Sequence, residues 1–111
     1  MKIITVPITK EAQELLDIDN CPSDMLEEFQ ISQKDFDRLW QAGLFALINM
    51  SSGAMIDDYE YDSIQNPRKL EAALQSIEKR VWTNELDELI KNIKALFVKA
   101  IEYKTSIHFY F

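Results

Sequence analysis

Cys21 is the only cysteine in 111 residues, so no internal disulfide can form, and a zinc centre would need one thiol, one imidazole and carboxylates. A structural metal is not expected. Asp17, Asp19 and Asp24 lie close to Cys21 in sequence, and nearby negative charge raises a thiol pKa and lowers its reactivity. Glycine occurs twice and proline three times, which leaves little material for long loops and favours helix. Histidine occurs once, as His108 near the end of the chain. Nucleophilic catalysis needs a nucleophile, a base and an orienting group, and no such set can be assembled here, so His108 is expected to be structural or a rim contact. Glycine-rich phosphate loops are missing. No apolar run approaches the ~20 residues of a membrane span, and Lys2 is followed by too short an apolar stretch, ended by Pro7, for a secretory signal. The expectation is a cytoplasmic, non-enzymatic chain with no cofactor and no membrane contact.

Basic residues are scarce in one part of the chain only. Residues 11–62 hold thirteen acids against Lys34 and Arg38, a balance of −11, whereas residues 63–111 hold six acids and eight bases. Phosphate contacts need Lys and Arg, so direct nucleic-acid binding by the acidic part is disfavoured and a basic protein is the better partner. The acidity is densest between Met55 and Ile64, where Asp57, Asp58, Glu60 and Asp62 alternate with Tyr59 and Tyr61 between apolar anchors. As a calcium loop the run fails, because acids at the first, third and fifth positions and glycine at the sixth are required. As a glycosidase pair it also fails, since acid and nucleophile normally converge across a cleft from distant positions. One ordinary reading is a solvated loop whose tyrosines tuck onto the core. The functional reading joins ring surface to charge: tyrosine gives contact area at low entropic cost, and carboxylates around it pair with Lys and Arg of a partner. The expected partner-binding set is Asp57, Asp58, Tyr59, Glu60, Tyr61 and Asp62, widening to Asp17, Asp19, Glu27 and Glu28.

Periodicity predicts one α+β domain over residues 1–111, mostly helical, with four to five helices and a small sheet. Ile4, Val6 and Ile8 recur at period two, and Pro7 ends that strand or puts it at an edge. Thr9 caps a helix to about Asp17, and Ser23 is expected to open a turn or two of helix with Met25, Leu26 and Phe29 inward. Ser32 caps a central helix whose apolar stripe runs through Phe36, Leu39, Trp40, Gly43, Leu47 and Met50, widened by Leu44, Phe45 and Ile48. Asn66-Pro67 starts a helix through Leu70, Leu74, Ile77 and Val81, and Thr83 or Asn84 starts the last one. Thr105 to Phe111 returns to period two, with Ile107, Phe109 and Phe111 on one face and Ser106, His108 and Tyr110 on the other. The first and last strands are expected to pair and form the sheet.

The helix from Phe36 to Met50, the run Gly53-Ala54-Met55-Ile56-Asp57-Asp58-Tyr59-Glu60, an amphipathic helix ending near Trp82, a longer one closing with Lys99-Ala100-Ile101-Glu102-Tyr103, and then Ile107-His108-Phe109-Tyr110-Phe111 make a recognisable order. It resembles the small bacterial immunity proteins of contact-dependent growth inhibition and related polymorphic toxin systems, over about residues 36–111. The resemblance implies a cytoplasmic inhibitor, monomer or weak dimer, that binds one cognate basic toxin domain, often a nuclease, and blocks its active site or substrate cleft. Only Asp57, Asp58, Tyr59 and Glu60 carry over by position, and they can equally serve the fold. The alternative is an adaptor that oligomerises through an exposed strand edge, Ile3 to Ile8 or Ile107 to Phe111.

Overall fold

The computed structural model describes residues 2–111. Nine elements follow in the order β1 (Lys2–Pro7), α1 (Lys10–Asp17), β2 (Leu26–Ile31), α2 (Gln33–Gln41), α3 (Leu44–Ser52), β3 (Tyr61–Ile64), α4 (Pro67–Lys79), α5 (Asp87–Tyr103) and β4 (Ile107–Tyr110). The fold is α+β, with five helices and a four-stranded antiparallel sheet.

The helix starts follow local chemistry. Thr9, Ser32 and Asn66 each accept a hydrogen bond from a first-turn amide, at 3.0 Å from Ala12 N, 3.1 Å from Asp35 N and 2.9 Å from Arg68 N. Each cap satisfies a donor with no partner inside the helix. Ser23 caps nothing: Ser23–Met25 is a single 3-10 turn, and Leu26 to Phe29, expected as helix, lie in strand β2. Its residues alternate, with Phe29 opposite Ile4 and Ile31 opposite Lys2, and pairing with β1 satisfies a ladder of amides that one isolated helical turn leaves open. The predicted central helix is two helices. Gly43 takes φ +85° between α2 and α3, a left-handed conformation that interrupts helix and suits glycine. Leu44, Phe45 and Ile48 are buried as expected, but with the break Trp40 and Met50 leave the stripe and are exposed. Val81 also leaves the core, because α4 stops at Lys79. The last helix begins at Asp87, after a 3-10 turn at Asn84–Leu86.

The strand order is β2-β1-β4-β3. The first and last strands do pair, with Ile4 opposite Phe109. They are nevertheless the two inner strands, each flanked on both sides, so neither is the free edge that an adaptor built on Ile3 to Ile8 or Ile107 to Phe111 requires. The edges are β2 and β3, and β3 lies inside the acidic stretch expected to be loop.

One face of the sheet carries the core. Ile4, Val6, Ile64, Ile107 and Phe109 lie under the later helices, joined by Phe36, Phe45 and Phe97. Phe36 and Phe45 stack at 5.2 Å between ring centroids, and Phe111 meets both edge-on at 5.1 and 5.2 Å, a preferred aromatic arrangement. Helix α1 packs against β1 on the other face. There Thr5, Ser106 and His108 are buried, whereas Tyr61 on the edge strand β3 is 54% exposed, so the cover thins towards β3.

Candidate functional site

The structure distributes the ten predicted site residues among three places. Within the acidic loop, Asp58 is ion-paired with the Lys2 ammonium, which is itself nearly buried. Lys2 Nζ lies 4.5 Å from the Phe36 ring centroid, 4.9 Å from that of Tyr59 and 6.0 Å from that of Phe111, and it donates to the Phe111 carbonyl oxygen at 3.1 Å. A buried ammonium is costly unless paired, and Asp58 together with three ring faces supplies the pairing. Asp58 therefore serves the loop's own structure. Asp62 does likewise, accepting from Met55 N at 2.6 Å and Ser63 N at 2.8 Å. Asn49 closes the loop from inside α3, accepting from Ile56 N at 2.8 Å and donating to Ile56 O at 3.1 Å. Asp57, Tyr59 and Glu60 remain exposed. Tyr59 adopts φ +61°, held by its amide donating to Phe111 O at 3.1 Å, and its side chain is 85% exposed. Tyr61 is 54% exposed, so neither tyrosine tucks onto the core.

Glu27 stands apart from the others. It is opposite Val6 in the β1–β2 register, on the core side, where Lys99 Nζ lies 3.3 Å away and the Tyr103 hydroxyl donates at 3.5 Å. Glu28, one residue on, is opposite Thr5 and faces the other way.

The third place lies on the sheet's second face, towards β3. Asp17 and Asp19, at and just beyond the end of α1, line a cavity of about 550 Å³ together with Leu16, Tyr61 and Tyr110. A second cavity of about 250 Å³ shares Leu16, Asp19 and Tyr110 and reaches Cys21 and Glu28. Tyr61 and Tyr110 are directly opposite in the β3–β4 register, with ring centroids 5.0 Å apart. Beneath them the Tyr61 hydroxyl meets His108 Nδ1 at 2.7 Å, and His108 Nε2 meets Ser106 Oγ at 2.7 Å. A neutral imidazole has one donor and one acceptor nitrogen, so either tautomer satisfies both contacts when the two hydroxyls turn to match. His108 and Ser106 are fully buried. Burial lowers the His108 pKa to about 4, against the opposing pull of Asp17, so the ring is neutral at pH 7. Burial first, then the charges and neighbours Tyr61, Asp19 and Asp17, push the Tyr110 phenol up to about 12.

The buried pair Ser106 and His108 joins β3 to β4 through Tyr61. Their places on one strand face were legible from period two at the end of the chain. That this face meets Asp17 and Asp19 was not, because the meeting depends on α1 packing across β1. Thiol character fits the same surroundings: burial and the charges of Asp24 and Glu28 raise the Cys21 pKa. Among the described residues no group of three His, Cys, Asp or Glu side chains is gathered in a way that could hold a metal ion. No family model, curated protein or solved structure matches the chain.

Proposed function

We propose that this chain is a binding protein that neutralises a basic partner domain, the role implied by the resemblance to immunity proteins of contact-dependent growth inhibition, with a nuclease-type toxin as the class whose cleft its acids suit. One observation carries the reading. Asp17, Asp19, Glu28, Asp57 and Glu60 are all exposed, and among the described residues none of them has an ion-pair partner. Unpaired carboxylates on a rigid strand-and-helix frame attract a cationic surface over long range and pair with it on contact. Such steering raises association towards about 10⁸ M⁻¹s⁻¹ at low salt and fades as salt screens it. Asp58, Asp62 and Glu27 support this surface from within the fold.

That division defines the experiment. Asp17→Asn, Asp19→Asn, Asp57→Asn and Glu60→Gln are combined, leaving Asp58 and Asp62 intact so that the loop keeps its ties. The variant is co-expressed with the toxin domain encoded beside the gene, and cell survival is scored together with association rate at two salt concentrations. The expected result is a folded protein that associates at least about tenfold more slowly, with a shallower salt dependence. Full protection by the folded variant would sink the reading.

A further inference from the structure

The β3 side of the sheet's second face has a defined shape as well as a charge. Its floor is the Tyr61 and Tyr110 rings, and its wall is the end of α1 with Asp17 and Asp19. The floor is rigid: Tyr61 is pinned through its hydroxyl to fully buried His108, which is pinned in turn to Ser106. The negative charge is not cancelled from within. Among the described residues no Lys or Arg pairs with Asp17 or Asp19, and the one nearby imidazole is held neutral by burial. A cavity of about 550 Å³ with exposed ring face and two free carboxylates is complementary to a flat cation.

Of the two basic side chains, arginine fits these walls better. Its guanidinium is planar, stacks on aromatic faces and offers a fork of donors that two carboxylates can share, whereas lysine is a compact and strongly hydrated point charge. We propose that the cavity between the end of α1 and the Tyr61–Tyr110 pair receives an arginine side chain of the basic partner. The guanidinium lies against the phenol rings and donates to Asp17 and Asp19. This rests on the partner-binding reading above and names the point where an anchoring side chain enters. Buried arginine and tyrosine are the residue types in which binding energy concentrates.

The test uses the full chain, labelled with ¹⁵N, and two short peptides: acetyl-Gly-Arg-Gly-amide and its citrulline counterpart, which keeps the shape and loses the charge. The arginine peptide is expected to give saturable amide shifts centred on Asp17, Asp19, Tyr61 and Tyr110, and the citrulline peptide none. Asp17→Asn with Asp19→Asn is expected to weaken arginine binding at least about tenfold. Glu78→Gln, an exposed position on α4 outside the cavity, should leave it within about twofold. Equal shifts from both peptides, or shifts centred on residues 57–60, overturn the assignment. If the arginine peptide does not bind while Asp57→Asn with Glu60→Gln weakens protection, the cavity proposal falls and the acidic-surface reading stands. If it binds here while no acidic variant alters protection, the partner reading falls and the cavity remains an arginine site.

Discussion

The two faces of the sheet are made from alternate residues of the same four strands, yet different forces hold them. On the helical side Ile4, Val6, Ile64, Ile107 and Phe109 are each at most 3% exposed and belong to the apolar core cluster. On the opposite side Thr5, Ser106 and His108 are buried just as deeply, at most 1% exposed, but are polar. The first face works by removing apolar surface from water. The second depends on complete pairing, and every buried side-chain nitrogen and oxygen among the described residues has a partner. A polar face that is satisfied inside and incompletely covered outside keeps a fixed shape while offering groups to another molecule. The apolar core thus lies on one side of the sheet, and the binding site proposed above on the other.

That assignment can be broken by measurement, beginning with the core. Phe109→Ala opens a cavity at a fully buried site between β1, β3 and α5 residue Phe97. Its expected cost is about 3–5 kcal/mol of unfolding free energy, read from denaturant midpoints. A loss below about 1 kcal/mol would show that the helical side is not the stabilising one.

The second face adds a pH signature. In the folded chain the His108 pKa is lowered to about 4, whereas the unfolded chain titrates near 6.5. Between those values the unfolded state binds the additional proton, so stability falls as pH drops below 6.5 and is fully present above it. The expected loss between pH 8 and pH 5 is on the order of 2 kcal/mol. It is measured by denaturation at the two pH values, with His108→Gln, which keeps a donor and an acceptor, expected to flatten the dependence. A slope that survives in His108→Gln assigns the proton to another group.

At the rim between the two regimes, Asp58→Asn leaves the nearly buried Lys2 ammonium without its carboxylate, at a cost of about 1–2 kcal/mol. Lys2→Met keeps apolar contact with Phe36 and Phe111 and frees the partly exposed Asp58 to water, so it should cost less. The reverse ranking, again from denaturant midpoints, would mean that the ring contacts of Lys2 matter more than its charge. The smallest effect belongs to Asp17→Asn with Asp19→Asn. Both positions are exposed and unpaired, so stability should change by no more than about 0.5 kcal/mol while partner binding drops. A large loss of stability there would dissolve the contrast between the faces.

The residues also differ in how much they disclosed before folding. Caps at Thr9, Ser32 and Asn66 and the apolar faces of α4 and α5 were legible, because capping and the 3.6-residue period act within a few positions of the chain. Leu26 to Ile31 was not: its apolar positions suit one turn of helix or a strand edge, and only the neighbouring β1 decides between them. The break at Gly43 was hidden for a related reason, since the apolar stripe continues across it and only the need to bury both Phe36 and Phe45 shows where the chain must turn. Within the candidate site, residue type and density pointed to Asp57 through Asp62, but density could not distinguish exposed Asp57 and Glu60 from Asp58 and Asp62, which hold the loop.

By itself, the sequence determined the acidic balance of residues 11–62, the α+β class, the pairing of first and last strands, and the alternation that sets Ser106, His108 and Tyr110 opposite Ile107 and Phe109. Those features follow from composition and from side-chain periods that repeat over a few residues. Tertiary structure alone decided that β2 and β3 are the sheet edges, that Lys2 holds Asp58 across 56 positions, and that Asp17 and Asp19 meet Tyr61 and Tyr110. Such meetings join distant segments through strand register and helix packing, which no local pattern encodes.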